Sequence, residues 1–539
     1  MSEAKKRKVY TAPSVNVDHS LVQLLSQIQA STDNLELISR LIQQGDLGRT
    51  LPIWSYYSSV NNHKEFVDIT NKLNHVLRTI NEHKDTFLPV RQFIVDFAKD
   101  VLINYTKITY RALSSLKPSS TNPTIRLLDN LINYDSIIVQ EFLNSFDLTL
   151  PVLPKLMTPS KIEIEAGEVN DQYSIRSNFM KLWIDLCSNA AYYHRLDLLT
   201  NHSKIVKNIW KYLQYDTINL LLNLIQFLND KLLDERNFKK AQKCKILNDS
   251  FMYKVHFLFN KIKEPFFLDF MTKVATDFKN GLVFANDKLW TQNSDVGVVV
   301  DVNNKHFKIA NKLLYTLLTS LKPTDSNKQL QFIVKVLSCC QELIPPYMNY
   351  LVQHGGGYHD PSLTSWWILY TLLYTNVLQI PMPQFETNVE FIKFDVRAIN
   401  ESIVFAPLLK GALVEGLSSK TGLTVQLTLQ LILFILKRLQ LVIDVVNKRQ
   451  ELTTLVFNQL PDITLIAQQL SAKPSKLTHL TALTIMNQYK SSFPSSLNKS
   501  SIQKLVSSGV SEIVSKSKLS NYDLSILDLY MNLQNQDFK

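Results

Sequence analysis

The string HGGGYHDP at residues 354–361 is one of two stretches whose residue types and spacing could do chemistry. A histidine followed by three glycines is typical of the oxyanion hole of lipases and esterases. That chemistry also requires a serine in a Gly-x-Ser-x-Gly turn, and none of the twelve glycines forms one. The stretch is therefore predicted to be a helix stop, a turn and a helix start, with His354 in the last turn, Asp360 as the next N-cap and Pro361 at the first helical position.

Other motifs for catalysis or cofactor binding are missing from the sequence. GLSSKTG (416–422) lacks the Gly-Lys-Ser/Thr ending of a phosphate-binding loop. The eleven histidines and four cysteines show no zinc-ligand spacing, and the lack of a Cys-x-x-Cys pair or a secretory signal favours a reducing compartment. We predict no enzyme, no cofactor, no metal and no small-molecule substrate.

The second stretch is basic and covers residues 231–263, with nine Lys/Arg against three Asp/Glu. Phe238, Phe251, Tyr253 and Phe257 are interleaved with the cations. RNA recognition uses cations on phosphates and aromatic planes on bases, although a solvated helix face over core aromatics would give the same pattern. The candidate RNA-binding residues are Arg236, Lys239, Lys240, Lys243, Lys245 and Lys254.

Two further basic segments lie nearer the ends of the sequence. Residues 473–518 contain seven lysines and only Glu512 as an acid, which fits either a polyanion contact or a loose tail. Lys5, Lys6, Arg7 and Lys8 form KKRK, a candidate nuclear-localisation signal that also fits a bland solvated terminus.

The composition indicates which elements must position these residues. Only 12 of 539 residues are glycine, while 45% are apolar and 19% are charged. Doubly wound α/β folds and barrels need glycine at their turns, so this composition favours helices joined by short connections. The net charge of +11 suits a polyanionic partner.

Apolar residues recur at helical spacing along nearly the whole chain, as in HSLVQLLSQIQ (19–29). Helix pairs recur every 35 to 50 residues or so without a fixed consensus, which predicts an all-α, irregular HEAT/armadillo-like α-solenoid with more than 60% helix and essentially no sheet. The predicted domains are a flexible basic tail (1–18), N-terminal repeats (19–160), an acidic loop (161–173), a central solenoid (174–470) and a basic, serine-rich helical segment (471–539).

The segment 361–385 raises the question of a membrane span because it has no charged side chain. Its apolar part runs only from Trp366 to Ile380 and contains Thr371, Thr375 and Asn376. A spanning helix needs about 20 mostly apolar residues, so a buried helix is predicted and no membrane partner is expected.

Residues 125–157 and 174–260 carry a family resemblance. The central block has an Ile-Arg start at Ile175, the helix end LNDKLLDE (228–235) and the step KCKILND (243–249). In these features it resembles the N-terminal domain of nucleolar pre-ribosomal-associated protein 1, the 60S ribosome biogenesis N-terminal family, over roughly residues 70–400.

The resemblance implies a non-enzymatic scaffold in the nucleus and nucleolus that acts on early precursors of the large ribosomal subunit. The implied partners are pre-ribosomal RNA, a sister scaffold protein, other pre-60S assembly factors and a DEAD-box helicase. Family members are much longer chains. The alternative is a HEAT-like nuclear transport or trafficking adaptor that binds protein partners, because composition and periodicity fit it equally well.

Overall fold

The structure is a computed structural model, and it describes residues 18–31, 34–285, 290, 297–355, 357–382, 394–446, 449–471, 474–494 and 500–534. Helices account for 72% of the chain, which confirms the all-α prediction. The chain forms two compact units, Met1–Phe270 (unit 1) and Met271–Lys539 (unit 2). The finer division drawn from the sequence stays a prediction.

Unit 1 is built from short helices, several of which begin at polar caps. The helices are α1 (His19–Ala30), α2 (Leu35–Gln43), α3 (Asp46–Ser59), α4 (His63–Glu82), α5 (Arg91–Ile103), α6 (Thr106–Ser114), α7 (Pro118–Ile132), α8 (Ser136–Ser145), α9 (Leu153–Leu156), α10 (Lys161–Ala166), α11 (Ile175–Asn189), α12 (Tyr192–Thr200), α13 (Ser203–Lys211), α14 (Ile218–Leu228), α15 (Lys240–Ile246), α16 (Asp249–Met252) and α17 (Val255–Lys261). At the start of α1 the Asp18 carboxylate accepts from Ser20 N–H, and at the start of α11 the Ser174 hydroxyl accepts from Ser177 N–H. Each cap satisfies an N–H group that the helix itself leaves unpaired.

In unit 1, α1 packs on α4, α4 on α7, α7 on α11 and α11 on α14, so every third or fourth helix belongs to one continuous row. Helices of a second row pack in the same manner: α5 packs on α2 and on α8, α12 packs on α15, and α13 packs on α16. Side-chain amides join successive layers: Asn74 Nδ2 donates to Pro123 O at 2.8 Å and Asn130 Nδ2 donates to Asn74 Oδ1 at 3.0 Å. This layer-by-layer packing is that of an α-solenoid.

Unit 2 combines helices with one small hairpin. Its elements are β1 (Val298–Val302), β2 (Lys305–Ile309), α19 (Lys312–Ser320), α20 (Asn327–Cys339), α21 (Ile344–His354), α22 (Ser365–Leu378), α23 (Val396–Glu401), α24 (Lys410–Leu417), α25 (Gly422–Ile443), α26 (Arg449–Gln459), α27 (Ile463–Ser471), α28 (Lys476–Ser492), α29 (Ser500–Val514) and α30 (Asn521–Gln534). A further helix, α18 (Pro265–Thr276), contains the point at which the two units divide. In unit 2, α22 packs on α25, α25 on α28 and α28 on α30, so the stacking pattern recurs.

The longest helix of unit 2, α25, is largely buried. Within the described residues it is the one helix long and apolar enough to cross a membrane, and 61% of its most apolar window is buried inside the protein. Its Arg438 side chain is 1% exposed, and Nη2 donates to Gln341 Oε1 at 2.9 Å. The helix predicted between Trp366 and Ile380 is α22, which buries Trp367, Leu373 and Val377.

The hairpin of β1 and β2 is an element that sequence reasoning missed. The strands pair antiparallel with Val302 opposite Lys305. Asn303 and Asn304 both have positive φ, at 50° and 58°, as the two central residues of a type I′ turn require. Asn303 also donates from its backbone N–H to Gln353 Oε1 at 3.2 Å, which ties the turn to α21.

Two predicted local features are corrected by the structure. The acidic segment 161–173 is not entirely a loop, because a capping box between Ser160 and Glu163 starts the six-residue helix α10. After the glycines that follow α21, the next helix starts at Ser365 with Thr364 as its cap, so Asp360 and Pro361 do not begin it. His359 is buried instead, where it stacks on Trp367.

Candidate nucleic-acid interface

Four of the six predicted RNA-binding residues lie on α15 or in the connection that precedes it. Arg236 and Lys239 are exposed in the connection before α15, and Lys245 is exposed on the helix, whereas Lys240 is half-buried. Lys239 is the N-cap, and its backbone N–H donates to Gln242 Oε1 at 2.8 Å. These positions can present cations to a polyanion without unfolding the helix.

Lys243 does not belong to that surface, and the prediction that it contacts RNA is wrong. Its side chain is 3% exposed and Nζ donates to Leu233 O at 2.6 Å. The ammonium group thereby satisfies a carbonyl at the end of the π-helical turn Asn229–Leu233. Lys243 is a structural residue that holds α15 against this turn.

Lys254 lies in a separate group with two exposed aromatic side chains. Its Nζ donates to Gln214 Oε1 at 2.5 Å and lies 5.2 Å from the ring centroid of Phe257. Tyr253 is 57% exposed and Phe257 is 39% exposed, so both rings are open to solvent. Partial burial lowers the pKa of Lys254. Proteins that bind single-stranded nucleic acid place cations against its phosphates and exposed aromatic rings against its bases, and Lys254, Tyr253 and Phe257 offer both kinds of group.

The other two interleaved aromatics belong to the core. Phe238 is 4% exposed and packs edge-on against Tyr192, with ring centroids 5.0 Å apart. Phe251 is 1% exposed and packs in the same manner against Trp210, at 5.1 Å. Of the four aromatic residues in the sequence pattern, Tyr253 and Phe257 are therefore candidates for stacking on bases, whereas Phe238 and Phe251 are core residues.

A lysine stripe on α13 was missed by sequence reasoning. Lys204, Lys207 and Lys211 are exposed and follow each other at spacings of three and four residues, which places them on one side of the helix. The other side buries Ile205, Val206, Ile209 and Trp210. The signal was present in KIVKNIWK (204–211), where lysines alternate with apolar residues at helical spacing.

The α13 stripe and the α15–α17 segment are parts of one packed substructure. Trp210 Nε1 on α13 donates to Ile246 O at the end of α15 at 3.1 Å, and Lys254 reaches Gln214 just beyond α13. Lys211 Nζ lies 4.9 Å from the ring centroid of Tyr212, the next residue. We call the exposed or half-buried cations and rings of this substructure together the basic surface, with the lysine stripe on the side of α13 opposite Trp210: Lys204, Lys207, Lys211, Arg236, Lys239, Lys240, Lys245, Lys254, Tyr253 and Phe257.

The second basic stretch, 473–518, has several of its lysines engaged within unit 2. Lys516 Nζ forms an ion pair with Asp523 at 2.6 Å, and Lys490 Nζ donates to Asn532 O at 2.7 Å. Lys476 lies over the ring of Tyr522. These contacts make the stretch a weaker candidate for RNA than the basic surface. The Lys5–Lys8 signal lies outside the described residues.

Among the residues that the structure describes, no group of three or more His, Cys, Asp or Glu side chains could hold a metal ion. The four thiols are unactivated: burial raises the pKa of Cys187, Cys244, Cys339 and Cys340.

Comparison with known proteins identifies the class to which this helical stack belongs. Residues 47–370 match the family described as Ribosome 60S biogenesis N-terminal, which is more than half of the chain. The chain therefore belongs to this 60S ribosome biogenesis family. It is also 32% identical over 571 residues to "Nucleolar pre-ribosomal-associated protein 1" of Saccharomyces cerevisiae (strain ATCC 204508 / S288c), covering 99% of this chain and 32% of that protein. The chain thus spans about a third of the length of this relative.

The solved structures that match the chain do so at low sequence identity and low TM-score. Kap121p is 14% identical with a TM-score of 0.22 and covers 96% of this chain and 48% of its own. She4p is 11% identical with a TM-score of 0.28 and covers 96% and 75%. The fold assignment rests on the helix packing described above.

Proposed function

We propose that the chain is a non-enzymatic α-helical scaffold in early assembly of the large ribosomal subunit, where it holds pre-ribosomal RNA and assembly factors together and so supports rRNA processing. Family membership supports the link to 60S biogenesis. The name of the yeast relative supports a nuclear and nucleolar location. The proposed protein partners are other pre-60S factors, including a sister scaffold protein and a DEAD-box helicase.

The observation that carries RNA binding is the basic surface of unit 1. Its exposed lysines can neutralise phosphates, and the exposed rings of Tyr253 and Phe257 can contact bases, although the Phe257 ring centroid also lies 3.8 Å from that of His256. Such a surface binds single-stranded RNA with little sequence preference, because phosphates are common to all sequences and every base has a π-face. The scaffold then acts by geometry, since binding two segments at once raises the effective concentration of one near the other.

Charge reversal tests this proposal with a matched control. The triple variant Lys204→Glu, Lys207→Glu and Lys211→Glu removes the α13 stripe. The control is Lys322→Glu, Lys328→Glu and Lys335→Glu, which changes the net charge equally at exposed lysines of unit 2. With fluorescent oligouridine RNA at 100 mM salt, the α13 variant should bind at least tenfold more weakly, and the control should bind nearly as the parent does.

Salt dependence separates the scaffold from the adaptor alternative. About six phosphate contacts lose roughly a thousandfold in affinity between 50 and 200 mM salt. If the chain shows no salt-dependent RNA binding, or if both triple variants lose affinity equally, the RNA-holding role is wrong and a protein-binding adaptor is favoured.

A further inference from the structure

A polar groove runs along unit 1 over the helices α4, α7, α11 and α14. It has two sections, of about 690 Å³ and about 400 Å³, which share Asp129 and Lys181. The larger section is lined from α4, α7 and α11, and the smaller one from α7, α11, α14 and the turn after α14. No lysine of the basic surface lines either section.

Side-chain amides line this groove on each of its four helices. Asn71, Asn122, Asn178 and Asn223 supply one from α4, α7, α11 and α14 respectively. The Asn178 amide is already used within the protein, since its Oδ1 accepts from Arg126 Nε at 2.8 Å and its Nδ2 donates to Ser174 O at 2.7 Å. An amide side chain offers a donor and an acceptor, as each unit of a peptide backbone does, whereas phosphate groups offer only acceptors. These amides therefore match a peptide backbone better than they match a phosphate.

Asn122 has an unused hydrogen-bonding atom in this groove. The residue is 4% exposed, and its Nδ2 donates to Tyr173 O at 2.7 Å. Its Oδ1 is buried and accepts no hydrogen bond from the residues that the structure describes. A buried acceptor without a donor costs free energy, which a backbone N–H of a bound segment would recover.

Two carboxyl groups meet where the sections of the groove join. Asp129 on α7 and Asp185 on α11 both line the smaller section and contact the same amide group. Asn133 Nδ2 lies 3.3 Å from Asp129 Oδ1 and 3.0 Å from Asp185 Oδ2, so one amide bridges both. Asp230 makes three acids against Lys181 and Lys231 in the smaller section. The larger section instead carries Arg78, Arg126 and Lys181 against Asp129 and Asp171, so the acids are concentrated around the carboxyl pair, and that end of the groove favours a cation over phosphate.

We propose that this groove binds an extended segment of a partner protein and seats one arginine or lysine side chain between the carboxyls of Asp129 and Asp185. Two carboxylates held close together accept a guanidinium or ammonium group through charge-assisted hydrogen bonds. The inference rests on the scaffold function proposed above, because it names where that scaffold holds a protein. It uses a different surface from the one proposed for RNA.

The carboxyl pair gives the binding event a proton signature. Burial raises the pKa of Asp129 to about 8, and the neighbouring Asp185 carboxylate adds to the rise. Near pH 7 the pair therefore holds a proton, which a bound cation would displace because it favours two carboxylates. The other charged groups that line the smaller section with the pair are Lys181 of α11 and Asp230 and Lys231 after α14. Arg78, Arg126 and Asp171 line the larger section.

Selection from a random library of twelve-residue peptides tests the inference on the 539-residue chain at pH 7.5. The enriched peptides should share an arginine or lysine. Their affinity should fall about 30-fold or more in Asp129→Asn and in Asp185→Asn, since one partner of a desolvated charge pair is removed. The control is Asp96→Asn, an exposed carboxylate on α5. Thermal melting verifies that each variant is folded.

Calorimetry of the best peptide in phosphate and in Tris buffer at pH 7 provides a second measurement. Binding should release close to one proton from the parent chain and none from Asp129→Asn. The inference is overturned if no peptide is enriched, if the enriched peptides lack a basic residue, if both groove variants bind normally, or if no proton is released.

Crossed variants distinguish this inference from the RNA proposal. The α13 triple variant should keep its peptide affinity, and Asp185→Asn should keep its affinity for oligouridine. If oligouridine displaces the peptide competitively, the groove is an RNA site and the inference is wrong. If RNA binding fails while the groove variants still lose the peptide, only the RNA part of the proposed function is lost.

Discussion

Arg176 and Asp216 form a bidentate ion pair in the interior of unit 1, with Nε 2.7 Å from Oδ1 and Nη2 2.6 Å from Oδ2. Both side chains are fully buried. The remaining donors of Arg176 reach backbone carbonyls of Met157, Asn208 and Ile209. One guanidinium therefore ties the start of α11 to the end of α9, to α13 and to the residue before Thr217, the cap of α14.

Removing the carboxylate should destabilise unit 1 strongly. Asp216→Asn keeps the shape but leaves the Arg176 charge buried without a counter-ion, which costs about 3–5 kcal/mol. Urea denaturation monitored by circular dichroism measures the change. The matched control is Asp197→Asn, whose carboxylate is 52% exposed beside His202 and should contribute less than about 1 kcal/mol. Equal effects of the two substitutions would contradict a structural role for the pair.

The stability of unit 1 should fall as pH rises toward 8. Asp129 has a folded-state pKa of about 8, above the value of about 3.9 for an unfolded aspartate. The folded state therefore binds this proton more tightly, so its contribution is complete below pH 4 and is lost as pH rises through 8.

Comparison with Asp129→Asn isolates this carboxyl. Relative to that variant, the parent should lose roughly 3–4 kcal/mol between pH 5 and pH 8. Urea denaturation at each pH measures the loss. Parallel pH profiles of parent and variant would show that Asp129 is ionised in the folded state.

Substitution of Lys243 should change stability and leave RNA affinity intact. Lys243→Met keeps the aliphatic stem but removes the donor to Leu233 O, and an unpaired buried carbonyl costs about 1–3 kcal/mol. Lys245→Met, at an exposed position of the same helix, should instead leave the melting temperature unchanged and weaken RNA binding. An RNA defect in a folded Lys243→Met protein would restore Lys243 to the interface.

The helical architecture could be predicted from the sequence because its cause is local. Apolar spacing identified α1, whose Leu21, Leu25 and Ile28 are buried, and scarce glycine argued against sheets. The hairpin carried a local signal too, because Asn303 and Asn304 separate two short segments, VVVDV and KHFKI, that contain β-branched or aromatic residues. That signal was overlooked in a chain that otherwise follows the helical period.

The candidate sites were harder to predict because they depend on packing between distant segments. Lys240, Lys243 and Lys245 look alike in sequence, and only the fold turns Lys243 inward to Leu233. Likewise Asn133 and Asp185 are 52 residues apart, and α7 must stack on α11 before the carboxyl pair exists. Charge and periodicity locate a helix face, but they do not say which layer lies beside it.

The N-terminal KKRK segment remains a predicted nuclear-import signal. Deleting residues 1–10 from a fluorescent fusion should reduce its nuclear fraction, since it removes Lys5, Lys6, Arg7 and Lys8 together. Replacing the four basic residues by serine should have the same effect without shortening the chain. Unchanged nuclear accumulation of both fusions, scored by microscopy, would leave the segment as a solvated terminus.

The exposed rings of the basic surface should contribute to RNA affinity by stacking. Tyr253→Ala and Phe257→Ala should each weaken oligouridine binding by about 1–3 kcal/mol, the cost of one base–aromatic stack. Because stacking involves no phosphate, the slope of affinity against salt should stay that of the parent, whereas the α13 charge reversal should flatten it. Tyr193→Ala is the control, since Tyr193 is 79% exposed on α12 and outside the basic surface. Fluorescence anisotropy across 50–200 mM salt gives both quantities, and equal losses in Tyr193→Ala and Tyr253→Ala would show that these rings do not stack on bases.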